Sequence, residues 1–467
     1  MKILLIDPPF QRFMSFHRYY YPMGLASMAA VLQRAHEVVI YDAERMDQGQ
    51  TMSWSTVAGR HGDYVDALRA QSHPIWDEIE SVIRRVDPEV VGITALSVKA
   101  ASAVRVAGIA KSVNGDIKVV VGGDHPTALP EQFLSHSSID YAVRGEGEAT
   151  FAELVECLGN GGPNGEAIAG VSSKVGGGFE HGPDREPLND LDALPLPDLD
   201  VLMEVESYRP VDCGAIVTSR GCPYGCTFCG VATVWGRRVR YRSPERVVDE
   251  IEILKQQRGT TYFSFRDASF TLNRQRVMDF CRLLIDRDLD ICWECLTRPD
   301  LLDAEQLSLM IEAGCRTVRI GIESGCSRIL SKMGKTVPLD AVRKAGKLLN
   351  SMGLYWSAYI LVGTPHETAE SIRKTMDFID EVDPPFVTLA RFAPIPGTPM
   401  YKELEQRGMI NAEIDWSMEC NQRLSSHYVY DMSENEFERE LGVIADFIEK
   451  RNAARSAQMG TADQRLK

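Results

Sequence analysis

The chain has no run approaching the ~20 apolar residues that cross a bilayer. Its start, Met1-Lys2-Ile3-Leu4-Leu5-Ile6-Asp7-Pro8-Pro9, breaks too soon for a secretory leader. Basic residues are not in excess. Lys and Arg number 51 against 66 Asp and Glu, a net charge of −15, so the whole chain gives a nucleic-acid partner no electrostatic support. Eleven cysteines among 467 residues are too sparse for a disulfide scaffold. No G-x-G-x-x-G follows the first strand, which leaves a Rossmann dinucleotide site without support. These absences predict a cytoplasmic protein with no membrane or nucleic-acid partner. A hydrophobic content of 44% and a charged content of 25% then suit two or three globular domains. The one basic run, Arg237-Arg238-Val239-Arg240-Tyr241-Arg242, reads as solvated surface or as a contact to an anionic substrate.

What the sequence does hold is Ser219-Arg220-Gly221-Cys222-Pro223-Tyr224-Gly225-Cys226-Thr227-Phe228-Cys229-Gly230. Glycine and proline keep this stretch out of regular structure and let three thiolates converge. Iron–sulfur cubanes normally take four thiolates, so three would leave one iron open. Three incidental cysteines would sit poorly in so short, polar and glycine-rich a loop.

The spacing C-x3-C-x2-C, with Phe228 before the last cysteine, resembles the radical S-adenosylmethionine (SAM) superfamily. The resemblance implies that Cys222, Cys226 and Cys229 bind a [4Fe–4S] cluster and that SAM chelates the open iron. It also implies reductive cleavage to a 5'-deoxyadenosyl radical, which removes hydrogen from an unactivated carbon. An electron donor such as flavodoxin or ferredoxin is then required.

Residues 1–160 alternate apolar strands (Ile3–Ile6, Glu37–Tyr41, Val90–Leu96, Ile117–Val121, Tyr141–Val143) with helices (Leu25–Ala35, Ile75–Val86, Val98–Ser112). That alternation predicts a doubly wound parallel sheet with ligands at the strands' carboxyl ends. Asp7-Pro8-Pro9, Pro22-Met23-Gly24-Leu25, Gly122-Gly123-Asp124-His125-Pro126-Thr127 and Arg144-Gly145-Glu146-Gly147-Glu148 make this half resemble the cobalamin-binding domain fused to many radical SAM enzymes. The resemblance implies a Rossmann-type corrin site at Pro22, Gly24, Gly122, Gly123, His125 and Thr127. The D-x-H-x-x-G motif that ligates cobalt in cobalamin mutases is missing. His125 follows Asp124 directly, so a turn histidine bonded to backbone stands beside the ligand role.

Residues 161–208 read as a linker, from the glycine-rich 159–165 to Leu194-Pro195-Leu196-Pro197, with a short strand pair near Ile168–Val175. Residues 209–408 carry six strand–helix units, opening at Ala215–Thr218, with Ser243 capping the first long helix. They resemble the partial (β/α)6 TIM-type barrel of the superfamily, with chemistry at the strands' carboxyl ends. There the resemblance assigns Asp267 to the SAM amino group, with helix capping as its plainer role. It assigns Glu323 and Ser324 to the ribose or methionine portion, and Gly363 to adenine through main chain. Cys292 and Cys295 lie three apart on a strand, face opposite ways and cannot chelate one metal. Only Cys157 precedes Cys213, which excludes a tRNA-thiolating enzyme with its own N-terminal cluster. Residues 409–467 are a C-terminal extension, with a helix over Glu434–Arg451 and a fraying tail.

The resemblance implies cobalamin-dependent methylation of carbon in a small-molecule biosynthetic intermediate. The alternative is radical chemistry without methyl transfer: dehydration of a sugar diol such as an aminoglycoside, cyclisation or rearrangement. A cobalamin-binding redox sensor is the reading from outside enzymology. The catalytic acid or base is not identifiable from the sequence.

Overall fold

The computed structural model describes residues 1–16, 20–46, 54–161, 168–411, 414–420 and 426–459. The first sheet is built from β1 (Lys2–Asp7), β2 (Glu37–Asp42), β3 (Val90–Thr94), β4 (Lys118–Gly122), β5 (Tyr141–Val143), β6 (Val171–Val175) and β7 (Gly178–His181), in the order β2-β1-β3-β4-β5-β6-β7. Residues 3–7 of β1 are all buried, as a strand covered on both faces by helices requires. The five strands from β2 to β5 pair in parallel, and β6 and β7 add an antiparallel hairpin. This hairpin is the strand pair expected near Ile168–Val175, and it carries the first sheet on to His181. The strand order reverses between β1 and β3, which opens a crevice at the carboxyl ends.

Besides several short helices, two long ones were not predicted: Trp54–Arg69 and Gly147–Gly159. The second was legible, since Phe151, Leu154 and Val155 bury one face behind Glu148 in the first turn. The glycine-rich run at 162–165 and the tail from 460 lie outside the described residues.

The second half begins with β8 (Ala215–Ile216), β9 (Ser219–Arg220) and β10 (Arg240–Tyr241). It continues with β11 (Tyr262–Phe265), β12 (Cys292–Thr297), β13 (Cys315–Glu323), β14 (Tyr355–Val362) and β15 (Phe386–Arg391). The order β15-β14-β13-β12-β11-β8, parallel throughout, is the connectivity of a partial (β/α)6 barrel. Its strands alternate: Trp293 and Cys295 are buried, while Cys292 on the same strand is half-buried. Ser243 caps the helix Pro244–Arg258 by accepting from the Arg246 amide at 3.2 Å.

The C-terminal helix runs Glu434–Met459, past the expected end at Arg451. Its added turns are anchored rather than frayed. Arg451 and Arg455 pair with Asp383, and Asn452 exchanges hydrogen bonds of 3.0 and 2.8 Å with the backbone of Val387. The side chain thus stands in for a neighbouring strand along the open edge of β15.

Candidate active site between the two sheets

The cysteine loop is fixed from three sides. Behind it, Asp267 accepts from the Thr218 amide at 3.0 Å, the Thr218 hydroxyl at 2.9 Å and the Ser219 hydroxyl at 2.6 Å. Inside it, the Thr227 amide donates to Met333 O at 2.8 Å, and the Met400 amide donates to Thr227 O at 3.0 Å. Gly334, at φ 63°, passes so close that a Cβ there would stand 2.6 Å from Gly225 O. Gly221, at φ 96°, lies against Arg238 in the same way. Glycine is required at both positions.

Cys222, Cys226 and Cys229 are half-buried and free. Among the described residues no three His, Cys, Asp or Glu side chains close on a single ion. A cubane does not ask for that, because each thiolate takes its own iron. Burial pushes the Cys226 and Cys229 thiols up, and Lys335 and Arg298 act in the opposite sense at Cys226. Arg298 sits 3.5 Å above the Tyr224 ring, and Lys335 pairs with Glu323 at 2.8 Å. A soft three-sulfur set with cations beside it and room kept by glycine fits a cluster. Glu323 itself holds φ 67°, a conformation that costs a residue with a side chain and is kept here at the end of β13.

At three positions expected to meet SAM the structure shows other partners. Asp267 is fully buried with its oxygens already accepting three hydrogen bonds, so it braces the loop's entry and is neither an open acceptor nor a helix cap. Ser324 is buried, bonded to the Cys326 amide at 3.1 Å and to the Thr375 hydroxyl at 3.2 Å. Gly363 turns at φ 86° against the Phe437 ring, and its amide serves the buried Glu367. Phe228 packs on the buried cluster that includes Ile329, Met333 and Met400. The sequence reading missed Lys335 and Arg298. Lys335 lies beyond Glu323 in Lys332-Met333-Gly334-Lys335, where only the fold reveals its neighbour.

A cavity of about 410 Å³ opens at the carboxyl ends of the first sheet. Gly24, Gly122, Gly123, Gly145 and Gly147 line one side, and Val217, Arg220, Trp235 and Arg266 of the second half line the other. A neutral wall of glycine and aliphatic side chains fits a large flat group such as a corrin. His125 is not among the residues that line the cavity. Its ring is buried, bonded to Gln132 at 3.0 Å and set edge-on to Trp416 at 4.5 Å. Burial holds it neutral down to about 4. Pro22 caps the helix Met23–Leu32, and Thr127 accepts from the Gly145 amide at 3.0 Å; both support the wall from behind.

The basic run divides: Arg237 and Arg238 are exposed, while Arg240 and Arg242 turn inward. Arg240 pairs with Glu146, and Arg242 with Glu250 at 2.6 Å. Arg220, the residue before Gly221-Cys222, pairs with Glu146 at 3.3 Å and with Glu148. Glu146 is the N-cap residue of the helix Gly147–Gly159 and Glu148 lies in its first turn, so these pairs tie the cavity to the cysteine loop.

A three-cysteine loop on a partial barrel, facing a corrin-sized crevice on a doubly wound sheet, defines an iron–sulfur radical enzyme with a cobalamin-type domain. Residues 216–379 match the Radical SAM superfamily, and residues 14–155 match the B12 binding domain. An uncharacterized methyltransferase of Pyrococcus horikoshii is 34% identical over 413 residues, spanning 86% of this chain and 83% of its own. The cytidylyl-2-hydroxyethylphosphonate methyltransferase of Streptomyces wedmorensis is 28% identical over 458 residues, spanning 88% and 83%. In fold, the chain resembles TsrM of Kitasatospora setae, a radical SAM methyltransferase, with a TM-score of 0.68 at 21% identity over 87% of this chain and 76% of that one. The chain belongs to the radical SAM superfamily, in the branch that carries a B12 binding domain. It is an enzyme, and its cofactors are a [4Fe–4S] cluster, SAM and cobalamin. No helix among the described residues is long and apolar enough to cross a membrane.

Proposed function

We propose that this enzyme methylates a carbon atom of a small-molecule biosynthetic intermediate. The observation that carries the reading is the shared cavity, whose walls come from the B12 domain on one side and the barrel on the other. When bound, the cluster and SAM supply a carbon-centred radical and cobalamin supplies a transferable methyl group. The chain's own part is placement. Cys222, Cys226 and Cys229 would hold the cluster, and Lys335 and Glu323 stand near Cys226, where their charges act on the ligand set. Arg220 fixes the cluster loop's distance from the corrin wall through Glu146 and Glu148. Two relatives of this length bear methyltransferase names, which supports the same reading.

A second reading has its own support: a magnesium-protoporphyrin IX monomethyl ester cyclase of Rubrivivax gelatinosus is 34% identical over 362 residues, though these span only 64% of that protein. Eleven free cysteines suit a reducing cytoplasm, with flavodoxin or ferredoxin as electron donor. The deciding assay supplies reconstituted protein with SAM, reductant and cobalamin. Methylation yields S-adenosylhomocysteine together with 5'-deoxyadenosine; 5'-deoxyadenosine alone would sink the methylase reading in favour of the cyclase-like one. Cys226→Ala should abolish both products along with bound iron.

A further inference from the structure

One basic residue of the shared cavity has no carboxylate partner among the described residues. Arg220 is matched by Glu146 and Glu148, and Arg240 by Glu146. Arg266, at the end of β11, is exposed and lines the same cavity, with its guanidinium 4.9 Å from the centre of the Tyr20 ring. The acid of the cavity without an ion pair, Asp124, comes from the other domain at the end of β4. Glu146 and Glu148 on the same side are taken up by Arg220 and Arg240.

A guanidinium backed by an aromatic face at the wall of a cavity is a preformed anion receptor. Its planar fork matches two oxygens at once, and the ring limits its freedom without neutralising it. We propose that Arg266 binds the carboxylate or phosphate-type group of the substrate. The substrate class is then an organic acid or a phosphorylated or phosphonate compound, not a cationic aminosugar. Arg266 adjoins Asp267, the brace of the cysteine loop, so the anion is fixed from the radical-generating half, across the cavity from the glycine wall that fits the corrin. This assignment rests on the proposed methylation, which requires the substrate to meet the corrin within the shared cavity.

The test uses full-length protein loaded with cluster, cobalamin and SAM, titrated calorimetrically with inorganic phosphate and separately with acetate at fixed ionic strength. The wild type should show one saturable site for at least one of the two anions, and the preferred anion identifies the group. Arg266→Gln should weaken it about tenfold, the scale of one charge-assisted contact. Arg266→Lys should recover most of the loss. Tyr20→Leu, which leaves the guanidinium in place, should weaken binding about threefold. Corrin absorbance per chain should be equal in all four proteins. Absence of a saturable site in the wild type, or equal binding by Arg266→Gln, overturns the proposal. Loss of corrin from Arg266→Gln overturns it too, by giving the guanidinium to cobalamin instead. A wild type that binds the anion through Arg266 but forms no S-adenosylhomocysteine would count against methylation alone and leave this site standing.

Discussion

Arg220 of the barrel half and Glu148 of the B12 half meet at 2.5 Å, with both side chains largely buried. Each is the immediate neighbour of a cofactor site: Arg220 leads into Cys222, and Glu148 follows the glycine turn of the cavity. Glu148→Gln removes one charge of a pair that has already lost its water. Glu146 remains, but it also serves Arg240. The expected cost is about 2–3 kcal/mol, seen as a melting temperature lower by on the order of 5 °C. Unchanged melting would show that the two halves are not joined through this pair.

Asp267→Asn separates bracing from SAM binding. The amide cannot accept all three donors from Thr218 and Ser219, so iron loading after reconstitution should fall severalfold. In the fraction that does carry a cluster, the SAM-induced change in the cluster's electron paramagnetic resonance signal should appear at the wild-type SAM concentration. A large rise in that concentration would return Asp267 to the SAM amino group.

His125→Ala tests the axial-ligand role. The ring faces Gln132 and Trp416, away from the cavity, so corrin absorbance per chain should match the wild type. The wild-type fold should also weaken on acidification. An unfolded histidine takes a proton near 6.5 whereas this one stays neutral to about 4, so the unfolded state binds more protons between those values. Denaturant midpoints should fall from pH 6.5 toward 4 in the wild type, and less in His125→Ala.

Glu367 has the opposite pH signature. Burial raises it to about 7, against hydrogen bonds from Ser371 and the Gly363 amide. Between about 4.5 and 7 the native state holds the extra proton, so stability declines as pH rises through that window. Glu367→Gln should remove this decline and melt higher than the wild type at pH 8. Parallel pH curves for the two proteins would refute the assignment.

The fold was legible because β1, β4 and the barrel strands are short apolar runs closed by Gly or Pro. The helix Trp54–Arg69 was not, because its face is mixed: Gly59, Gly62 and several polar residues interrupt the apolar period. Within the site, Cys222, Cys226 and Cys229 could be read because ligand spacing is local. The partners of Ser324, Gly363 and His125 were not legible for one reason: the sequence places a residue at a strand's end but not what its side chain meets. Thr375, Phe437 and Trp416, which claim those three positions, lie up to hundreds of residues downstream. Arg266 went unnoticed because its standing against Tyr20, with no carboxylate partner among the described residues, is revealed only by packing.

The hydrogen bonds from Thr227 to Met333 and from Met400 to Thr227 carry a consequence for biogenesis. During synthesis the iron ligands emerge long before the segments that lock their loop. A scaffold delivering preformed iron–sulfur units would therefore find its docking point finished only once the ribosome has passed Met400, making metal insertion a late event in the life of the polypeptide.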